Sequence, residues 1–412
     1  MANTLITNDV IADRAIAVAH EKATFLGTIY RDYDEEFGKN GSKVGDSIRI
    51  RKPNQYTRRQ GSRVMSVQHQ NEGNETLTVS TQDGVDMEFN SAERALSIDK
   101  FTERYIEPAM ASLISGIESD VLSTLSKQVA NVTGAAGAVP GASADLSAIF
   151  NAQARLNQGL APKDSNRALQ IDSVTMASIA NGAKALFQPG QDVAKAFREG
   201  YYGQGAGCTW YTNERVLALA SPDVAADTDA AALVTDGGII VDFHTLKSVA
   251  NTNVGESFTI AGVYAAHPET KQSLGYLQPF TVISKNAASV NVSPTIYLGL
   301  SSTTAAKQNV CKADSTKLAT TDFDAKTCTF FGSANVSYKY ALMYHRDFAA
   351  FATADLPLKG DAAMCVRKNL DGLSVRVWQG SDITNDLDLL RIDILYGYKI
   401  LRPEWACRII CN

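Results

Sequence analysis

The residues of this chain that could do chemistry are spaced badly for it. The run GQGAG, Gly203 to Gly207, has the composition of a phosphate-cradling loop, but strand-like CTWY follows it where a helix N-terminus would have to hold the anion. A structural turn is the expectation there. His20 and Glu21 open an HExx run, yet Thr24 stands where a zinc protease needs its second histidine. Cys407 and Cys411 have neither a histidine nor a second cysteine pair beside them, which leaves half a zinc ligand set and predicts two thiols on a C-terminal tail. Asp386 and Asp388 lack a partner segment and read as a solvated turn, and no G-x-S-x-G elbow or Walker lysine occurs. The histidines His69, His244, His267 and His345 fall in unrelated contexts. No catalytic residue, no metal ligand and no cofactor are expected.

The strongest local charge signal is basic. Lys43, Arg49, Arg51, Lys52, Arg58, Arg59 and Arg63 face only Asp46 in the same span. Such a run fits a solvated arm, an electrostatic latch on a neighbouring copy, or a nucleic-acid contact. Too few aromatics interleave with it to stack a single strand.

The elements that must carry these residues follow from periodicity. GDSIRIRKP, Gly45 to Pro53, alternates Ile48 and Ile50 with Arg49 and Arg51, and ETLTVSTQDGVDMEF alternates Leu77 and Val79 with threonine and serine. The polar stretch between them has no periodic apolar face, so the two strands and their tip predict a projecting hairpin. In the segment after it, Pro108 is tolerated only in a first helical turn, and Leu113, Ile114, Ile117, Val121, Leu125 and Val129 recur at three- and four-residue spacing. A helix from Pro108 to Val129 would be about 33 Å long at about 1.5 Å per residue. DLSAIFNAQARLNQG reads as a helix capped by Asp145, and RALQIDSVTMASIA as a short strand followed by a helix capped by Asp172 or Ser173. From about Ser221 to Ser337 helical periodicity vanishes and short alternating runs predict a small barrel or sandwich. The tail returns to long alternating strands.

Composition bounds the rest. The chain has 412 residues, 45% hydrophobic and 20% charged, which is enough apolar material for a core and too long for one ordinary domain. A net charge of −5 lacks the basic excess of a protein that wraps nucleic acid. The N-terminus lacks the apolar core of a signal peptide, no run is long enough to cross a bilayer, and six scattered cysteines fit reduced thiols in a cytoplasm. A soluble, unexported protein is the expectation.

In this order of segments the chain resembles the Hong Kong 97-type major capsid proteins of tailed bacteriophages. Specific segments bring it closer to the Salmonella podovirus coat proteins and their relatives, which carry an inserted β-barrel. GDSIRIRKPNQY looks like the start of their extended loop and IEPAMASLISGIESDVLSTL like their spine helix. RALQIDSVTMASIA resembles their axial strand and helix, with Ser173 where relatives often have proline. GESFTIAGV resembles a barrel strand, and GLSVRVWQGSDITNDLDLLRIDILYGYKILRP the closing peripheral strands.

The resemblance implies an α+β capsid fold in six parts. These are an N-terminal arm (1–44), an extended hairpin (45–89), a spine helix with peripheral domain (90–140), an axial domain (141–220), an inserted all-β barrel (221–337) and a returning axial and peripheral segment (338–412). It implies pentamers and hexamers closing into an icosahedral shell around packaged double-stranded DNA, enclosed without sequence-specific binding. The partners are other copies, a portal protein and a separate scaffolding protein, with assembly in the bacterial cytoplasm and residence in the virion. The scaffold is expected to be separate because the arm-like helix begins within the first dozen residues. Intersubunit contacts are expected from Arg49, Arg51, Arg58, Arg59 and Arg63, and from Asp236 and Asp242 of a loop like the acidic loops of the resembling proteins. Asp236-Gly237-Gly238 is equally a good tight turn. An α/β enzyme with a phosphate loop and a tail or decoration protein are the competing readings.

Overall fold

The computed structural model describes residues 15–17, 23–31, 47–59, 61, 63–65, 67, 72–90, 105–141, 146–183, 204–220, 226–230, 236–242, 252–285, 289–323, 326–332, 335–358, 364–370, 373–382 and 387–411. Strands dominate. The alternating SIRIR forms β1 (Ser47–Arg51), followed by β2 (Asn74–Thr78) and β3 (Thr81–Asn90). Helix α1 (Glu107–Lys127) comes next, with Pro108 in its first turn, where the missing N–H has no intrahelical partner to lose. After it come β4 (Val132–Thr133), α2 (Ser147–Gln158), β5 (Arg167–Ile171), α3 (Ser173–Ala183), β6 (Gln204–Gly205), β7 (Cys208–Thr212) and β8 (Leu217–Ala220). A run of strands without α-helix then spans β9 (Ala226–Ala230), β10 (Gly238–Asp242), β11 (Ser257–Ala266), β12 (Ser273–Lys285), β13 (Ser289–Ile296), β14 (Val310–Cys311) and β15 (Lys326–Phe330). The chain ends in β16 (Ser337–His345), β17 (Ala349–Ala354), β18 (Met364–Leu370), β19 (Leu373–Asp382), β20 (Leu387–Ile400) and β21 (Ala406–Ile410).

The contacts divide the chain into two compact units. The first takes residues 1–50, 75–121 and 349–401, and its centre is a five-stranded antiparallel sheet in the order β17-β20-β19-β18, with β3 also paired to β20. Strands β1 and β2 form a separate two-stranded ladder. Ile50, Leu77 and Val79 pack on Leu395 and on Ala350, Ala352 and Ala354, a row of small residues that lets the ladder come close. At Gly397 an added Cβ would sit 2.1 Å from the Thr78 carbonyl oxygen, so only glycine fits there. The two hairpin arms therefore pair over little more than β1 and β2. Beyond Thr78 the second arm leaves its partner and joins β20 over ten register pairs, because β20 offers a longer ladder than β1 can.

The stripe read from the sequence is the buried face of α1: Leu113, Ile114, Ile117, Val121 and Leu125 are all buried, and Val129 just beyond it as well. Two buried members of the helix are polar, Glu118 and Ser126. Glu118 accepts hydrogen bonds from the Phe25 backbone N–H and from Thr24 Oγ1 at 2.8 Å, which fastens the turn carrying the buried Phe25, Leu26 and Ile29.

The second unit takes residues 51–74, 122–348 and 402–412. One of its sheets is mixed, in the order β4-β21-β16-β5-β7-β6 with β8 on β16; β21–β4 and β5–β7 are its parallel pairs. Every residue of β5 is buried, as an interior strand requires. Helix α2 buries Ile149, Ala152 and Leu156. Its expected cap, Asp145, lies outside the described residues, and Leu146 occupies the cap position without a side-chain hydrogen bond. Asp172 does cap α3, its Oδ2 accepting from the Thr175 N–H at 3.3 Å.

The other sheet is wholly antiparallel, in the order β10-β13-β12-β11-β15-β9 with β14 on β11. It curls over its own core of Phe258, Ile260, Phe280, Val282, Val292 and Phe330, helped by breaks of register within the β11–β12 and β12–β13 ladders. Among the described residues no ladder joins its end strands β9 and β10.

Candidate functional site

The glycine run resolves into a hairpin. Gln204 pairs with Thr209 and Gly205 with Cys208, while Ala206 and Gly207 take φ of 50° and 68°, the two-residue turn with positive φ at both positions. Trp210 Nε1 donates to the Gly205 carbonyl at 2.8 Å, and no helix begins there. The two C-terminal cysteines correct the expectation of a tail. Cys407 lies in β21, a strand held between β4 and β16, and Cys411 follows it directly; both are buried, and burial pushes each thiol up to about 12. Such thiols are poor nucleophiles at neutral pH.

Of the histidines, His345 is buried in the mixed sheet. The Asp347 N–H donates to its Nδ1 at 3.2 Å, so Nε2 carries the proton and donates to Asp164 Oδ1 at 3.1 Å. His267 Nδ1 accepts the N–H groups of Glu269 and Thr270 and closes a turn. His20, His69 and His244 lie outside the described residues, as does Asp386, while Asp388 sits in β20 opposite Phe89. Among the described residues no three His, Cys, Asp or Glu side chains converge on a metal-sized space, and no helix is long and apolar enough to cross a membrane.

A polar cavity opens beside the 204–209 turn, lined by Gln153, Asn157, Lys163, Asp164 and Arg167. The Arg167 guanidinium is committed to the Pro162 and Ala161 carbonyls and to Asn157 Oδ1. Cys208, also on its wall, has a thiol pushed up to about 12 by burial. The cavity holds no activated nucleophile.

What remains is the basic tip. Arg49 and Arg51 point away from the apolar face of β1. Residues 52–59 form neither helix nor strand, and neither do the described residues between 61 and 73. Arg58, Arg59 and Arg63 are exposed there; Arg59 Nη1 donates to the Val64 carbonyl, and Arg51 lies 3.8 Å from Glu72 with both side chains largely in solvent. The same tip exposes Tyr56, Val64, Met65 and Val67, the last three each about 70% exposed or more. Sequence reading took this stretch as polar and missed the apolar cluster, whose signal was the short run VMSV inside it. Guanidinium forks beside apolar side chains suit binding another protein surface: they match carboxylates bidentately, and the aliphatic groups add area without chemistry.

Asp236 is brought to a different use. Its carboxylate accepts the N–H groups of Leu298 at 2.8 Å, Gly299 at 3.3 Å and Leu300 at 2.9 Å, and the Thr304 hydroxyl, so it shapes the 298–304 loop of its own sheet. Burial works against its charge, but the Thr304 hydroxyl and the three N–H groups outweigh that and hold its pKa below the usual carboxylate range. Asp242 ends β10 in register with Ser289. Asp236→Ala should cost roughly 1–3 kcal/mol, because three backbone donors lose their acceptor. The depressed pKa sets the pH window. The stabilisation is complete above the unfolded value of about 3.9 and is lost as pH falls through the lower folded value. Denaturation midpoints of the two proteins should differ at pH 7 and converge in acid; equal midpoints at pH 7 would remove Asp236 from this role.

No curated protein sequence matches the chain. Among solved structures it is similar to one from Mycobacterium phage Che8, at 11% identity over 94% of this chain and 90% of that one, with a TM-score of 0.48. It is also similar to the capsid of Ralstonia phage GP4, at 9% identity over 95% and 91% and a TM-score of 0.46. The family model described as P22 coat protein, gene protein 5, matches residues 38–408. The chain therefore belongs to the P22 coat protein family: it is a major capsid protein of a tailed-phage head, α+β in fold, which assembles with copies of itself in the virion capsid and is not an enzyme.

Proposed function

We propose that copies of this chain form pentamers and hexamers that close into an icosahedral head around double-stranded DNA, in the cytoplasm of the bacterial host. The observation that carries this is the basic and apolar tip. From Arg51 to Asn74 five lysines and arginines stand against the single acid Glu72, a net of +4, which leaves −9 on the other 388 residues. A tip of that sign with exposed valines and a methionine is suited to an acidic neighbour of its own kind. Arg49, Arg51, Arg58, Arg59 and Arg63 supply the charge of this contact. The loop shaped by Asp236, with Asp242 at the end of β10, supplies a second contact through its outer surface, since the Asp236 oxygens are engaged within the subunit.

The six-part division of the chain is part of the same proposal. That β9 to β15 share one sheet, and β11 to β15 one core, supports an inserted domain over 221–337. DNA is enclosed and not read, in keeping with the overall acidic balance. Because one subunit must fit both five- and six-fold rings, closure geometry needs an outside reference, which a separate scaffolding protein supplies, with a portal protein at one vertex. Negative-stain microscopy of the chain expressed alone and with its phage neighbours tests this. Closed shells of one size are expected only in co-expression, and polydisperse or unassembled material from the chain alone. Uniform shells of virion diameter from the lone chain would remove the scaffold from the proposal, and discrete small oligomers in both cases would overturn the shell.

A further inference from the structure

The last strand of the mixed sheet carries an arginine where an apolar residue would be ordinary. Arg408 in β21 is 1% exposed, and burial pulls its guanidinium down to about 10, so it is still a cation at neutral pH. Its hydrogen bonds all go to neutral oxygens of the other sheet: Nη1 to the Gly255 carbonyl at 2.6 Å, Nη2 to Ser257 Oγ and to Thr281 Oγ1 at 3.0 Å. The hydroxyl protons can be assigned in order. Thr281 Oγ1 donates to the Val129 carbonyl at 3.0 Å, so in the 2.6 Å contact between Ser257 Oγ and Thr281 Oγ1 the donor is Ser257. Both hydroxyl oxygens then present lone pairs to Arg408. One chain of hydrogen bonds thus runs from β21 through β11 and β12 to the residues just after α1. The Tyr340 ring of β16 has its centroid 5.2 Å from the guanidinium Cζ. At the same junction Gly255, with φ of 98°, passes so near that a Cβ would meet Lys127 Cγ at 2.7 Å.

We infer that Arg408 is a positioning residue: through Gly255, Ser257 and Thr281 it bolts the β9–β15 sheet to the mixed sheet, so that the inserted domain is presented to neighbouring subunits in one fixed attitude. The inference rests on the proposal that this sheet is an inserted domain. A buried cation tolerates its setting only while its acceptors are in place, so any swivel of the insert that withdraws Ser257 and Thr281 strands the charge. Apolar packing alone would let the sheets slide with little change in energy, whereas a planar fork with named acceptors admits one arrangement.

Hydrogen exchange on the full-length chain tests this, comparing wild type with Arg408→Met. Amides at the junction, Gly255 and Val282, which bond each other's segments across β11 and β12, should exchange at least tenfold faster in the variant. Amides of β13 paired with β10, at the far end of the insert, should stay within twofold. Arg408→Lys keeps the charge but not the fork and should behave like Arg408→Met at the junction. Adding Ser257→Ala and Thr281→Val to Arg408→Met should add little, since the three groups act as one unit. Co-expressed with its phage neighbours, Arg408→Met should yield shells of mixed size. Unchanged exchange at the junction, full rescue by lysine, an additive loss in the triple variant, or uniform shells at wild-type yield would each overturn the bolt. Equal acceleration across both sheets would overturn instead the reading of the insert as a separate domain.

Discussion

Asp393→Ala is expected to destabilise the protein by about 3–5 kcal/mol, the usual cost of removing one partner of a buried ion pair. Arg376 Nη2 meets Asp393 Oδ2 at 2.5 Å between neighbouring strands β19 and β20, and both side chains are almost fully buried. The guanidinium also donates from Nη1 to the Pro357 carbonyl at 2.9 Å. Over the carboxylate passes Gly84 of β3, where an added Cβ would stand 2.6 Å from Asp393 Oδ1, so no water has room to replace it from that side. Losing the carboxylate leaves a buried cation with the Pro357 carbonyl and the Trp378 ring, 5.7 Å from its Cζ, as neighbours. Removing both charges is a different matter. Arg376→Met with Asp393→Leu should recover most of the loss, because the pair's own attraction largely offsets its desolvation. Denaturant midpoints of the two single variants and the double variant decide it. A double variant no more stable than Asp393→Ala would show that shape, not charge, governs this site.

Charge reversal at the tip, Arg58→Glu with Arg59→Glu, should leave the folded monomer intact and suppress assembly. Each exposed contact with a carboxylate is worth about 0.2–1 kcal/mol, and reversal replaces attraction by repulsion of similar size. Two such positions change the free energy of adding a subunit by roughly 1–4 kcal/mol, and about 1.4 kcal/mol is tenfold in an equilibrium constant. The protein concentration at which shells begin to form should rise about fivefold or more. Salt separates charge from area: at about 1 M, where screening reaches about 3 Å, wild type and variant should converge, held by Val64, Met65 and Val67 alone. An assembly threshold unmoved by the reversal at low salt would take these arginines out of the interface.

The parts of the fold legible in the sequence are those set by neighbours along the chain. The three- and four-residue recurrence of Leu113 to Leu125 has one solution, a helix with that face buried. The loss of that recurrence between Ser221 and Ser337 marks the strands of one sheet. Glu118, Arg408 and the Arg376–Asp393 pair could not be read this way. Glu118 lies 93 residues from the Phe25 N–H it accepts, and Arg408 lies 151 from Ser257; no local spacing distinguishes a buried charge from a solvated one. Asp236 was ambiguous for the same reason: its tight turn is local, but its acceptor role depends on a loop more than 60 residues away. The site was half legible. The arginines stand out by charge, whereas the exposure of Tyr56, Val64 and Met65 emerges only once the hairpin is seen to pair over so few residues.

The ladder between β3 and β20 has a consequence for synthesis. It joins residues 81–90 to 387–396, so β3 emerges from the ribosome while its partner is still roughly 300 codons away. At about 5–20 residues per second that wait is about 15–60 s. The β9–β15 sheet, by contrast, lies within 226–330 and can close as soon as it is made. The order of folding on the ribosome is therefore interior of the gene first and its two ends last. A nascent chain stalled near codon 340 should hold a protected β9–β15 sheet beside a β3 that is still open to solvent, to protease and to the strands of other nascent chains on the same messenger.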